Sequence, residues 1–354
     1  MLKHPRLFML LLLCLSGCSG QRLLIEKDQP MASSEIAIAG EILWQTRLPS
    51  PLSTNMVAGF GYIFLPLANR QIFIIETTSG EKIRRIYTDF FIESVSLGPE
   101  CLYLTGISDW NAVVGYELRK LDRLFEKSAD PLGGNLLYTS MGVLFLTNTG
   151  KLFLLNALTG EKKFSIELNG LPSGFSLLGS SLVAVSLQQG TLLFITLDSL
   201  KIAHKIELQE LFESPPVFYD IVVQAGLNGT IFGIDTSGTV IFSTTLAGMF
   251  TSNPAVDENF IYAVSRDGGI FKLDKKNGEQ LAETKLKGPV FAPPILVGNS
   301  IIICNLYGEL SILERENLGF QKEIKLRGTI SYPPIYYKNR LFVATGDGYL
   351  YTIE

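Results

Sequence analysis

Few side chains in this sequence are placed for chemistry. Of the two histidines, His4 lies near the N-terminus and His204 stands alone in Ala203-His204-Lys205. Neither a histidine-ligated metal nor a Ser-His-Asp relay is therefore expected. Of the four cysteines, Cys14 and Cys18 sit in or beside an N-terminal apolar run, and Cys101 and Cys304 are far apart. A disulfide needs Cα atoms within about 7 Å. The repeat register given below puts Cys101 and Cys304 in non-adjacent units, so both read as buried, unpaired thiols. Asp267 and Asp347 each precede a glycine and read as turn formers rather than calcium ligands. Ser173-Gly174 and Ser180-Ser181 are turn chemistry, and no glycine-rich phosphate loop occurs. Trp110, in Ser108-Asp109-Trp110-Asn111, has two open readings: an exposed hairpin residue, or an aromatic anchor for a partner, since tryptophan is enriched at binding hot spots. The sequence gives no catalytic residue, no metal site and no cofactor site.

One cysteine does have a chemical context. Lys3 and Arg6 precede the unbroken apolar run Leu7 to Leu15, which is followed by Ser16-Gly17-Cys18. The run is too short for a permanent span, which needs about twenty apolar residues, and suits a signal peptide. An aliphatic residue, two small residues and a cysteine, in that order, resemble the bacterial lipobox. Residues 1–17 are expected to be a lipoprotein signal peptide, Cys18 the lipidated residue, and 18–39 a flexible tether, polar and mixed with Gln29-Pro30 and Ser33-Ser34. Ser19 in place of aspartate resembles lipoproteins delivered, in diderm bacteria, to the periplasmic face of the outer membrane. The membrane is thus reached through lipid. Without Lys3 and Arg6, 28 basic side chains face 34 acidic ones, moving the formal charge from −4 to −6. Such a balance excludes gripping nucleic acid, which needs clustered Lys and Arg.

The rest of the chain is a repeat. A glycine, one residue and then an apolar run recur from Gly150, Gly190, Gly229, Gly268, Gly308 and Gly348, at steps of 40, 39, 39, 40 and 40. Two earlier units keep the strand without the glycine, at Ile72-Phe73 and Val113-Val114. In the unit after Pro254, short apolar segments alternate with turns at Asp257-Glu258-Asn259, Arg266-Asp267-Gly268 and Lys275-Lys276-Asn277-Gly278. Hydrophobicity falls from the first segment to the last. Four antiparallel strands of that kind describe a propeller blade. Pro215, Pro254, Pro293 and Pro333 recur where a first strand begins and no ladder donor is needed. The expected fold is all-β: residues 40–354 form an eight-bladed β-propeller of four-stranded antiparallel blades. The chain stops after a third strand, and Gly40-Glu41-Ile42-Leu43-Trp44 matches the opening of an outer strand at Gly160-Glu161 and Gly278-Glu279. A strand at about 41–48 is therefore expected to complete the last blade and close the ring, which removes an exposed edge.

The segment Leu155-Asn156-Ala157-Leu158-Thr159-Gly160-Glu161, with Ile74 to Glu81 and Leu273 to Glu279, resembles the pyrroloquinoline-quinone-type propeller repeat. That repeat implies an acidic residue, kept as Asp235, Asp274 and Glu76, then Thr-Gly, then a tryptophan that staples neighbouring blades. The tryptophan is kept as Trp44, replaced by Phe164 and Phe242, and lost at Arg84 and Ala282. Together with the lipobox, the repeat resembles the BamB family, lipoproteins of the machinery that assembles outer-membrane β-barrels. This resemblance implies a non-enzymatic scaffold that binds the periplasmic part of a barrel-assembly subunit, by simple equilibrium binding or strand addition to a client, with a monomeric propeller. The family's partner-facing Leu-x-Leu-Arg corresponds to Ile166-Glu167-Leu168-Asn169, and its Asp-x-Asp to Leu211-Phe212-Glu213. Ile166, Leu168, Asn169, Leu211 and Glu213 are thus candidate partner contacts, with Trp110. Asparagine at 169 cannot supply the bidentate fork of an arginine, and Ile166 and Leu168 equally suit the packing of an outer strand. Quinoprotein dehydrogenases share the repeat. They imply a channel calcium, a catalytic aspartate, a tryptophan floor and often adjacent cysteines, and this sequence has no adjacent cysteines. Binding of another envelope protein, or of carbohydrate, is the other open alternative.

Overall fold

The computed structural model describes residue 23 and residues 38–107, 112–128 and 134–354. Its regular structure is entirely strand, arranged as eight four-stranded antiparallel sheets. We number these blades 1 to 8 by their innermost strands: Val57–Gly59, Phe91–Leu97, Gly134–Thr139, Pro172–Leu178, Val217–Phe218, Ala255–Val256, Ile295–Val297 and Ile335–Tyr337. Strands within a blade are A to D from axis to rim. In blade 6 these are Ala255–Val256, Phe260–Val264, Gly269–Asp274 and Gln280–Lys285. Strand B there is buried over four of its five positions, while strand D is mostly exposed. That gradient is the falling hydrophobicity of the sequence.

Strand D of blade 8 comes from the other end of the chain. Ile42–Arg47 pairs antiparallel with Tyr349–Ile353, with Trp44 opposite Thr352 and Arg47 opposite Tyr349. The ring is closed by the strand expected to close it. Buried apolar side chains fall into clusters that each straddle two neighbouring blades. Phe64 of blade 1 joins Leu104 of blade 2, Leu144 of blade 3 joins Val185 of blade 4, and Phe342 of blade 8 joins Leu65 of blade 1. Each fully buried Leu, Ile, Val or Phe contributes about 1.5–3 kcal/mol. Each blade therefore shares its buried apolar surface with both neighbours. Cys101 and Cys304 are buried, unbridged and in blades 2 and 7; burial raises both thiols above the ordinary thiol range.

Two turns explain the sequence rhythm. The glycine between strands B and C takes a left-handed φ of +88° at Gly150 and +93° at Gly190. A Cβ there would stand 2.2 Å from the carbonyl oxygen of Gly170 or Glu210 in the loop leading to the next blade. Only glycine allows that approach. Between strands C and D, the repeat's acidic position caps its own turn. Asp235 Oδ1 accepts from the N–H groups of Ser237 and Thr239, and Asp274 Oδ1 from those of Lys276 and Asn277. The glycine closing this turn is replaced by Leu121, Leu200 and Leu318, which hold left-handed φ values of 61°, 49° and 61°.

The aromatic of one strand D lies against the C–D turn of the following blade. Trp44 faces Gly80, Phe125 faces Gly160 and Phe242 faces Gly278. Phe125 belongs to this set although its own blade lacks the Thr-Gly signature, and Phe164 is largely exposed. Where the aromatic is missing, a cation makes the link. Arg84 donates to Lys120 O (2.8 Å), Lys272, opposite Ala282, to Glu316 O (2.8 Å), and Lys322 to Ala39 O (2.7 Å).

Candidate functional site

The A–B and C–D turns lie on one face of the ring, and the B–C and D–A loops on the other. The second face carries a groove of about 430 Å³ between blades 4 and 5, lined by Leu171, Gln188, Gln189, Leu211, Glu213 and Leu227 over a floor of Phe212. Its walls are laced by backbone. The Gln188 N–H donates to Leu171 O (2.8 Å), Phe212 N–H to Gln188 O (3.2 Å) and Leu227 N–H to Leu211 O (2.8 Å). A buried carboxylate holds the wall in place. Glu210 Oε1 accepts from Leu211 N–H (2.8 Å), Asn228 N–H (3.0 Å) and Asn228 Nδ2 (2.7 Å). Leu171 and Leu211 are 53% and 49% exposed, whereas Phe212 beneath them is buried. Met249 and Tyr307 extend the exposed apolar arc along the same face, in loops of blades 6 and 7.

The sequence candidates separate. Leu211 and Glu213 stand in the groove. Leu168 does not: it is 4% exposed, inside the cluster joining blades 3 and 4, with Ile166 packed half-buried against it. The apolar alternation there serves the core, and this corrects the reading of Leu168 as a partner contact. Asn169 is exposed at a left-handed φ of 54°, a turn role that asparagine tolerates. The exposed leucine of that loop is Leu171, which the sequence reading passed over because a lone loop leucine carries no periodic signal. Glu210 was also missed. It stands in the loop position that holds glycine at 170, 248 and 288. Trp110 and Cys18 lie outside the described residues.

A second cavity, about 490 Å³, runs along the axis where the A strands converge. Its lining mixes hydroxyls and amides, such as Asn55, Ser94, Asn135 and Thr251, with apolar side chains such as Leu137 and Phe175, and Glu213 is its carboxylate. Ser214 Oγ and Thr251 Oγ1 are buried there without a protein partner. Pyrroloquinoline quinone carries several carboxylates and is held with calcium. Among the described residues this cavity is lined by no lysine, arginine or tryptophan, and no cluster of three metal-ligating side chains occurs. The residues present do not fit the quinone and its metal.

With eight such blades, Asx-capped C–D turns and aromatic staples, the chain is an eight-bladed β-propeller whose repeat resembles the pyrroloquinoline-quinone type. It resembles BamB: a family model described as outer membrane protein assembly factor BamB matches residues 178–317. Among solved structures, BamB from Moraxella catarrhalis superposes with a TM-score of 0.75 at 15% identity, over 89% of this chain and 99% of that one. The quinohemoprotein alcohol dehydrogenase of Comamonas testosteroni gives a TM-score of 0.73 at 10% identity, over 93% of this chain and 78% of that one. A europium-containing methanol dehydrogenase gives 0.70 at 9%, over 86% and 84%. At these identities the likeness is one of fold. No curated protein matches the sequence.

Proposed function

We propose that this chain is a non-enzymatic scaffold that binds a protein subunit of the β-barrel assembly machinery and assists insertion of outer-membrane proteins. It would act as a monomeric propeller held by lipid at Cys18 on the periplasmic face of the outer membrane. The observation that carries the reading is the groove of exposed Leu171 and Leu211 over buried Phe212, rimmed by Gln188, Gln189 and Glu213. An apolar centre with a polar rim is the anatomy of a protein interface, and an apolar loop arc exposed to water marks such sites. The backbone lacing and Glu210 hold it ready before a partner arrives, which lowers the ordering cost of binding. The similarity to BamB names the kind of partner.

Affinity isolation of the intact lipidated protein from detergent-solubilised membranes tests this. Recovery of the barrel-forming assembly subunit, lost in a Leu171→Asp/Leu211→Asp variant of unchanged melting temperature, is the expected result. A different stable partner retained by that variant overturns it. Supplying pyrroloquinoline quinone, calcium, an alcohol and a dye is expected to give no turnover.

A further inference from the structure

The tether touches the propeller before the propeller begins. Leu23 is 3% exposed, set in the cluster between blades 1 and 2, and its N–H donates to Arg119 O at 2.9 Å in the C–D turn of blade 2. The chain returns on the same face. Ile38 packs on the cluster of blades 7 and 8, and Gly40 N–H donates to Glu354 O (2.5 Å). Both fixed points thus lie where the A–B and C–D turns emerge. The groove of Leu171 and Leu211 lies on the opposite face.

From this we infer that the A–B/C–D turn face at blades 1 and 2 rests against the lipid leaflet, turning the loop groove toward the soluble space; the inference rests on the proposed lipid at Cys18. Chain length decides the geometry. A tether running freely from Cys18 to Ile38 has twenty residue steps and reaches at most about 70 Å, enough for any orientation. The Leu23 contact leaves five steps, at most about 17 Å. Arg119 and Lys120 in the turn that receives Leu23 are exposed, but so are Glu81, Glu100 and Asp122 in the turns around them, so chain length rather than charge holds this face near the lipid.

Cys101 and Cys304 are buried, so one introduced surface thiol is labelled alone. The full-length lipidated protein, carrying a fluorophore at Lys120→Cys or at Gln189→Cys, is bound to phosphatidylcholine–phosphatidylglycerol vesicles containing nitroxide lipid. Quenching at position 120 is expected to exceed that at 189 several-fold, and Leu23→Asp to erase the difference while the protein still floats with the vesicles. Equal quenching in the parent protein, or a difference that survives Leu23→Asp, overturns the inference and leaves the lipid anchor standing. Failure to float, with no lipid mass on Cys18, overturns both. A melting temperature unchanged by Leu23→Asp shows that the propeller itself is intact.

Discussion

Leu168 and Leu211 are the same residue type in neighbouring loops with opposite fates. Leu168 is buried between blades, so Leu168→Ala should cost about 2–5 kcal/mol, measured by denaturant unfolding. Leu211→Ala should stay within about 0.5 kcal/mol of the parent while weakening partner recovery. Glu210 tests whether the groove is held ready. Removing its carboxylate in Glu210→Ala leaves Asn228 without an acceptor and should cost about 1–3 kcal/mol. As a positioning residue it should also reduce partner recovery further than the stability loss explains, with recovery restored in Glu210→Gln. Asp257 carries a pH signature. Burial alone would raise its carboxyl, but the N–H groups of Asn259 and Phe260 and an ion pair with Arg315 in the next blade hold it below the usual carboxylate range. A depressed folded value contributes stability above the unfolded value of about 3.9, and that contribution is lost as the pH falls through the lower folded value. Asp257→Asn should therefore lower stability at neutral pH, with the difference from the parent vanishing in strong acid.

At the scale of the element, the decisive unit is the strand-D aromatic against the next blade's turn. Gly278 has a φ of +73°, and a Cβ there would meet the Phe242 ring at 2.3 Å. Gly278→Ala should destabilise by about 1–3 kcal/mol through overpacking and strain. Combined with Phe242→Ala the two losses should fall short of additive, since the second removes the ring the first collides with and leaves the Thr244 contact and the φ strain; a double-mutant cycle reads this directly. The same unit shows what was legible in the sequence. Blades 3 to 8 announced themselves because a left-handed glycine pressed onto a carbonyl has no substitute at Gly150, Gly190 or Gly308. The C–D turn is more forgiving. Leu121 takes the left-handed conformation at a cost of roughly 1–2 kcal/mol, so blade 2 lost its Thr-Gly signature and Phe125 escaped notice as a staple. The groove was half legible. Leu211 and Glu213 were named only through the resemblance to the family's Asp-x-Asp position, and Leu171 and Glu210 gain meaning only when two loops seventeen and eighteen residues from their B–C neighbours are brought together in space.

The ring as a whole depends on a contact between the two ends of the described chain. Ile42–Arg47 supplies the outer strand of blade 8, and Trp44 joins the cluster that seals blade 8 to blade 1. Because every cluster is shared by two blades, losing one junction exposes apolar surface on both sides and leaves the remaining blades in an open arc. Deleting residues 38–47 should therefore do more than remove six ladder residues. The edge of Tyr349–Ile353 would present unpaired N–H and C=O groups, and the variant should associate through that edge while its thermal transition broadens. Size-exclusion chromatography and melting curves read both effects. A variant that stays monomeric with a sharp transition would mean that blade 8 holds its place with three strands, and that closure contributes less than the shared clusters imply.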